Sequence, residues 1–158
     1  MKRKALLSTL CIVCIVLFLF PGCEQETETA RDNNLEGQTG IHLEGAWARP
    51  GSEGRISAAY FLITNFGDEP DILLSAESDV ARNVEVHESY ESEEGMIGMR
   101  EVLDLEIPAQ STVRFEQGGL HIMLIQLTRQ LQDGDSFNLT LTFENHGTLM
   151  TEIPVRLL

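Results

Sequence analysis

From residue 41 onward, apolar and polar positions alternate in short runs and show no three-to-four-residue recurrence of useful length. The alternating runs are IHLEGAWAR (41–49), SAAYFLITNF (57–66), DILLSAE (71–77), NVEVHES (83–89), MREVLD (99–104), STVRFE (111–116), LHIMLIQL (120–127), SFNLTLTFE (136–144) and TLMTEIPVRL (148–157). RPGSEG, NFGDEP, IPAQ, EQGG, QDGD and ENHG lie between them, all rich in residues that suit turns. Nine short strands at this spacing predict an all-β domain over 41–158, an antiparallel β-sandwich or small barrel.

The pattern before residue 41 is different. A basic MKRK is followed by the apolar ALLSTLCIVCIVLFLF and then by PGC. That layout reads as a secretory signal over 1–22, because the apolar run is short for a spanning helix of about 20 residues. A Cys after a small residue at the end of such a segment resembles a bacterial lipobox, which makes Cys23 the expected lipidation site. Phe20 and Pro21 depart from the usual form of that box. Residues 23–40 are polar and aperiodic, the composition of a flexible tether. The domain is therefore expected outside the cytoplasm, in the cell envelope, anchored to a membrane through lipid.

Cys11, Cys14 and Cys23 are the only cysteines. The C-x-x-C at 11–14 falls inside the apolar run, where it has no redox or metal role to play. The exported domain accordingly has no thiol or disulfide of its own. The chain holds 11 basic and 25 acidic residues. Without Lys2, Arg3 and Lys4, 8 basic residues face 25 acidic ones, a net −17, and no lysine remains. Such a surface repels nucleic acid and anionic lipid and attracts cations.

Charge alone names no partner; the histidines and methionines say more. In GGLHIML (118–124), Leu120, Ile122 and Leu124 take one face of a strand and His121 and Met123 the other, about 7 Å apart at the backbone. In NVEVHES, Val84 and Val86 take one face, while Glu85, His87 and Ser89 take the other. Met96 and Met99 follow in or beside a glycine-containing turn, where a thioether gains little from burial. The set is thus His87, Met96 or Met99, His121 and Met123, with the two histidines on outward faces. Thioether sulfur favours Cu(I), and imidazole serves both copper oxidation states, so Cu(I) is preferred and Cu(II) is the second choice. Magnesium and calcium want oxygen ligands, and zinc takes Cys, His and carboxylate. His42 and His146 fall outside this set. Met150 is expected in the core or beside the site, and Trp47 in the sandwich core in preference to shielding the site.

The order His87, Met99, twenty-one residues, then His121-Ile122-Met123 resembles the PCuAC periplasmic copper chaperones and their H-x10-M-x21-H-x-M motif. AWARPG, SAAYFLITN, VEVHES, GMIGMREV, IPAQSTVRFEQGGLHIMLIQL and DGDSFNLTLTFENHG agree with it, so the resemblance covers roughly residues 43 to 156. Eleven residues, not ten, separate His87 from Met99, an insertion that leaves Met96 as the alternative ligand. The resemblance implies a cupredoxin-like Greek-key β-sandwich that binds Cu(I) through His87, Met99, His121 and Met123. It also implies delivery of copper to the Cu(A) centre of cytochrome oxidase, with oxidase subunit II or another copper chaperone as acceptor, or wider copper homeostasis in the envelope. A monomer without catalytic turnover is expected, since the exported domain has no nucleophile elbow, H-E-x-x-H or Cys-His pair. A blue-copper electron carrier would need a Cys thiolate. The alternative is an envelope β-sandwich that binds no metal, which explains the tether and charge but not the placement of His and Met.

Overall fold

The computed structural model describes residues 39–157. The expected signal, the lipidation site Cys23 and nearly all of the tether lie outside the described residues.

Ten strands are formed: β1 (Ile41–Ala48), β2 (Ser57–Asn65), β3 (Asp71–Ser78), β4 (Ala81–Glu91), β5 (Ile97–Glu101), β6 (Leu105–Ile107), β7 (Ser111–Phe115), β8 (Leu120–Leu127), β9 (Ser136–Phe143) and β10 (Gly147–Pro154). They make a six-stranded sheet in the order β1-β2-β7-β8-β4-β5 and a four-stranded sheet in the order β10-β9-β3-β6. Pairing is antiparallel apart from single parallel contacts at Phe115–Leu120 and Ala48–Val155. The fold is thus an all-β sandwich, one of the two architectures that the alternating pattern predicts.

The inner faces supply the core. Ala59, Ile63, Ile122 and Leu124 from the larger sheet meet Leu139, Leu141 and Ile153 from the smaller, all at 0 % exposure. Core residues run from Ile41 to Val155, so the described segment carries its own core, which is what independent folding requires.

Three local irregularities shape the larger sheet and the region beside it. In β1 the register slips between Glu44 and Trp47, with Gly45 at φ 64°. This bulge sets Gly45 and Ala46 against one partner residue and reverses the alternation beyond it. Ile41 and Leu43 face the core before it, and Ala48 does so after it. Trp47 is thereby turned to the outer face beside Tyr60, and not into the core where an unbroken alternation would put it. Next, β7 and β8 share one partner: β2 pairs with β7 through Phe61–Asn65 and with β8 through Ser57–Ala59. Residues 116–119 loop out between them, closed by Glu116 N–H to the Leu120 carbonyl (2.7 Å) and Gly119 N–H to the Glu116 carbonyl (3.1 Å). Lastly, the strand expected over 99–104 starts earlier and stops sooner, as β5, and a further strand that the alternation does not show, β6, follows it. β5 ends at Glu101, Asp104 turns the chain at φ 51°, and β6 crosses to β3 in the other sheet, where Ile107 is fully buried.

Candidate metal centre

The outer face of the larger sheet carries four aromatic or imidazole rings in a row across four strands. Trp47 of β1 lies opposite Tyr60 of β2, with ring centroids 4.6 Å apart. Tyr60 is 6.4 Å from His121 of β8, and His121 is paired with His87 of β4 at 6.0 Å. Two residue pairs along, on the same face, Met123 lies between Ala58 of β2 and Glu85 of β4. Met99, on the edge strand β5, is paired with Ser89.

His121, Met123 and Met99 line a common cavity of about 320 Å³, together with Tyr60, Ser89 and Arg49 among others. His87 does not line it; its ring lies on the strand beside His121. Met96 is not brought to the cavity either. It sits in the β4–β5 turn, where its N–H donates to Ser92 Oγ, and it is 63 % exposed.

His121 does point away from the sandwich core, but it is not an open surface residue: it is only 6 % exposed. Its neighbours in the row of rings cover it. Its Nδ1 lies 3.0 Å from the Gly119 carbonyl. A carbonyl only accepts, so Nδ1 carries a proton, and in the neutral ring Nε2 keeps its lone pair. The looped-out 116–119 segment delivers that carbonyl, which also accepts from Ser89 N–H at 3.1 Å. A bulge beside a site that re-aims a side chain is a recurrent device.

His87 shows the complementary arrangement. Its Nε2 is 2.7 Å from Glu85 Oε2, while its Nδ1 is buried and has no hydrogen-bond partner among the described residues. A buried, unpaired nitrogen costs roughly 1–3 kcal/mol. A cation bound there would relieve that cost, and two neutral imidazoles with two thioethers form a soft donor set. Among the described residues, no group of three or more His, Cys, Asp or Glu side chains is placed to hold a metal ion. Two imidazoles and two thioethers, by their own chemistry, suit a soft ion better than a hard one.

The remaining predicted residues lie elsewhere. His146 Nδ1 accepts from Ile41 N–H (3.4 Å), and His42 sits edge-on to Phe66, so both belong to the far end of β1 and β2. Met150 is 67 % exposed on β10, neither core nor neighbour to the site, because its side chain alternates to the outer face of the smaller sheet. Reading the sequence found the histidines and methionines but assigned no role to Glu85, Tyr60 or the Gly119 carbonyl. Glu85 was legible in principle, since residues two apart in a strand share a face.

Comparison with known proteins agrees with this architecture. The family described as "Putative lipoprotein LpqE-like" matches residues 41–155. The "Putative lipoprotein Lxx21020" of Leifsonia xyli subsp. xyli is 29 % identical over 156 residues, covering 98 % of this chain and 92 % of that one. Among solved structures, the copper-bound PCuAC domain from PmoF2 superposes with a TM-score of 0.61 at 26 % identity, covering 73 % of this chain and 92 % of that one. The solution structure of CuI-DR1885 from Deinococcus radiodurans gives a TM-score of 0.58 at 30 % identity, covering 77 % and 83 %. The chain belongs to the LpqE-like family and has the fold of the PCuAC copper-chaperone domains.

Proposed function

We propose that this protein is an extracytoplasmic Cu(I) chaperone, held to a membrane through Cys23, that binds one copper ion with His87, Met99, His121 and Met123 and passes it on without catalytic turnover. The observation that carries this reading is the gathering of two imidazoles, each with one nitrogen held by the protein, and two thioethers on one face of a sheet, with His87 Nδ1 buried and unpartnered among the described residues. The copper-bound state of the PmoF2 domain and the Cu(I) state of DR1885, both of this fold, support it.

The two sulfurs weight the site towards Cu(I), although imidazole also serves Cu(II). Met99 is 57 % exposed, so it is the ligand that an acceptor's side chain displaces first. His121 is buried and is released last. Tethering donor and acceptor to one membrane raises their effective concentration. An acceptor site such as the Cu(A) centre of oxidase subunit II, or a second copper chaperone, fits this chemistry. An electron-transfer role does not, because every cysteine lies at or before residue 23 and blue-copper sites need a thiolate.

The test is a Cu(I) titration of the domain against a competing chelator, with and without the paired change His121→Ala and Met123→Ala. One equivalent of tight binding, lost in the double variant, is expected. Equal binding by both proteins sinks the reading. Mixing the Cu(I)-loaded domain with an apo subunit II domain and following the metal then tests the acceptor. Copper that stays with the chaperone excludes that partner.

A further inference from the structure

Resting on the copper reading, we infer that Glu85 is a positioning residue: it holds His87 so that Nδ1, and not Nε2, is the nitrogen offered to copper. Glu85 and His87 are two apart on β4, so their side chains leave the same face of the sheet. Glu85 Oε2 lies 2.7 Å from His87 Nε2. A carboxylate in this state only accepts, so Nε2 is the protonated nitrogen and cannot bind a metal. In the neutral ring Nδ1 then carries the lone pair, and it is the one buried side-chain polar atom without a partner among the described residues.

Metal-bound histidines generally donate their second N–H to a carboxylate or a backbone carbonyl, which fixes both ring orientation and tautomer. The two histidines of this site use one partner of each kind. His121 is held through Nδ1 by the Gly119 carbonyl and presents Nε2, whereas His87 is held through Nε2 by Glu85 and presents Nδ1. The opposite choice has a geometric reason. The rings stand opposite each other on paired strands with centroids 6.0 Å apart. Nδ1 lies close to the backbone and Nε2 at the tip of the ring, so the pair offers one near and one far nitrogen. Glu85 also stands opposite Met123 across the strands, which places the positioning carboxylate among the ligands it organises.

The test compares the unaltered domain with Glu85→Ala and with the near-isosteric Glu85→Gln, whose amide oxygen still accepts from Nε2–H. Each protein is first checked for folding by circular dichroism. In the copper-free domain, nitrogen-15 NMR of histidine should show a protonated His87 Nε2 protected from exchange with water, and that protection should vanish in Glu85→Ala. After loading with Cu(I), His87 Nδ1 should carry the metal. Cu(I) affinity should fall roughly 10–100-fold in Glu85→Ala, the usual loss when such a partner is removed, and return to within a few-fold in Glu85→Gln. Copper on Nε2 of His87, equal affinity in the Glu85→Ala protein, or a Glu85→Gln protein as weak as Glu85→Ala overturns the inference while leaving the chaperone reading intact. Failure of the unaltered domain to bind Cu(I) overturns both.

Discussion

Each imidazole of the candidate site has one nitrogen held by the protein, and His87 Nδ1 is buried without a hydrogen-bond partner among the described residues. His121 is tied to the Gly119 carbonyl and His87 to Glu85, while Met99 and Met123 line the cavity beside His121. At this scale the composition of the site was legible in the sequence, because histidines and methionines on polar faces lack a packing reason to be there. The choice of methionine was less so: the twenty-one-residue gap to His121 favours Met99, but the extra residue between His87 and Met99 falls in the turn and keeps Met96 as the alternative. Pairing of Met99 with Ser89 in β5 turns that side chain to the cavity and leaves Met96 in the turn. Met99→Ala should therefore weaken Cu(I) binding by at least the roughly tenfold loss typical of an outer partner, and Met96→Ala should leave it within twofold or so. Chelator competition on the two variants checks this; the reverse order would exchange the two methionines.

At the scale of strands, most elements could be read from alternation, and the exceptions have separate causes. Alternation assigns faces only while the register is unbroken. Gly45 was the available sign that β1 breaks, and the bulge there is what moves Trp47 from the core to the outer face. β6 was hidden because it is three residues long and follows β5 without glycine or proline to mark the turn. The strand that bears the site is sound: Ile122, between His121 and Met123, is fully buried. Ile122→Ala should lower stability by about 2–5 kcal/mol, the usual cost of such a core truncation. Urea unfolding of the two proteins measures it, and a change below 1 kcal/mol or so would mean the strand is not anchored through that side chain.

Asp71, at the start of β3, ties another junction. Burial by itself raises its pKa, but backbone N–H groups of Asn145, Ile72 and His146 together hold the carboxyl below its ordinary value. A carboxyl whose folded pKa is lowered stabilises the fold fully above its unfolded value of about 3.9 and loses that contribution as pH falls through the folded value. The unaltered domain should thus be more stable than Asp71→Asn near neutrality, with the gap closing below about pH 4. Urea midpoints measured from pH 7 to pH 3 read this directly. A gap that widens on acidification contradicts it.

Over the whole molecule, the sandwich sets the candidate site on one outer face, and the chain from residue 5 onward carries a net charge of −17. Arg49 at the cavity is a local exception to that sign. Charge of this size steers a basic partner from a distance, and the effect fades as the screening length drops from about 10 Å at 0.1 M salt to about 3 Å at 1 M. Association with a basic acceptor domain should slow by roughly tenfold or more over that range. Stopped-flow mixing at the two salt concentrations tests it, and a salt-independent rate would assign docking to apolar contacts alone. The fold class was legible at this scale because nine alternating runs leave few architectures open. The assembly of the site was not, because it depends on β4 and β8 being neighbours, which no local pattern states.

The central claim concerns what surrounds the metal. X-ray absorption at the copper edge of the Cu(I)-loaded domain measures it most directly. The arrangement of His87, Met99, His121 and Met123 predicts Cu(I) with two nitrogen and two sulfur neighbours, and loss of one sulfur in Met99→Ala. A shell of nitrogen and oxygen alone, or one unchanged in Met99→Ala, would contradict it.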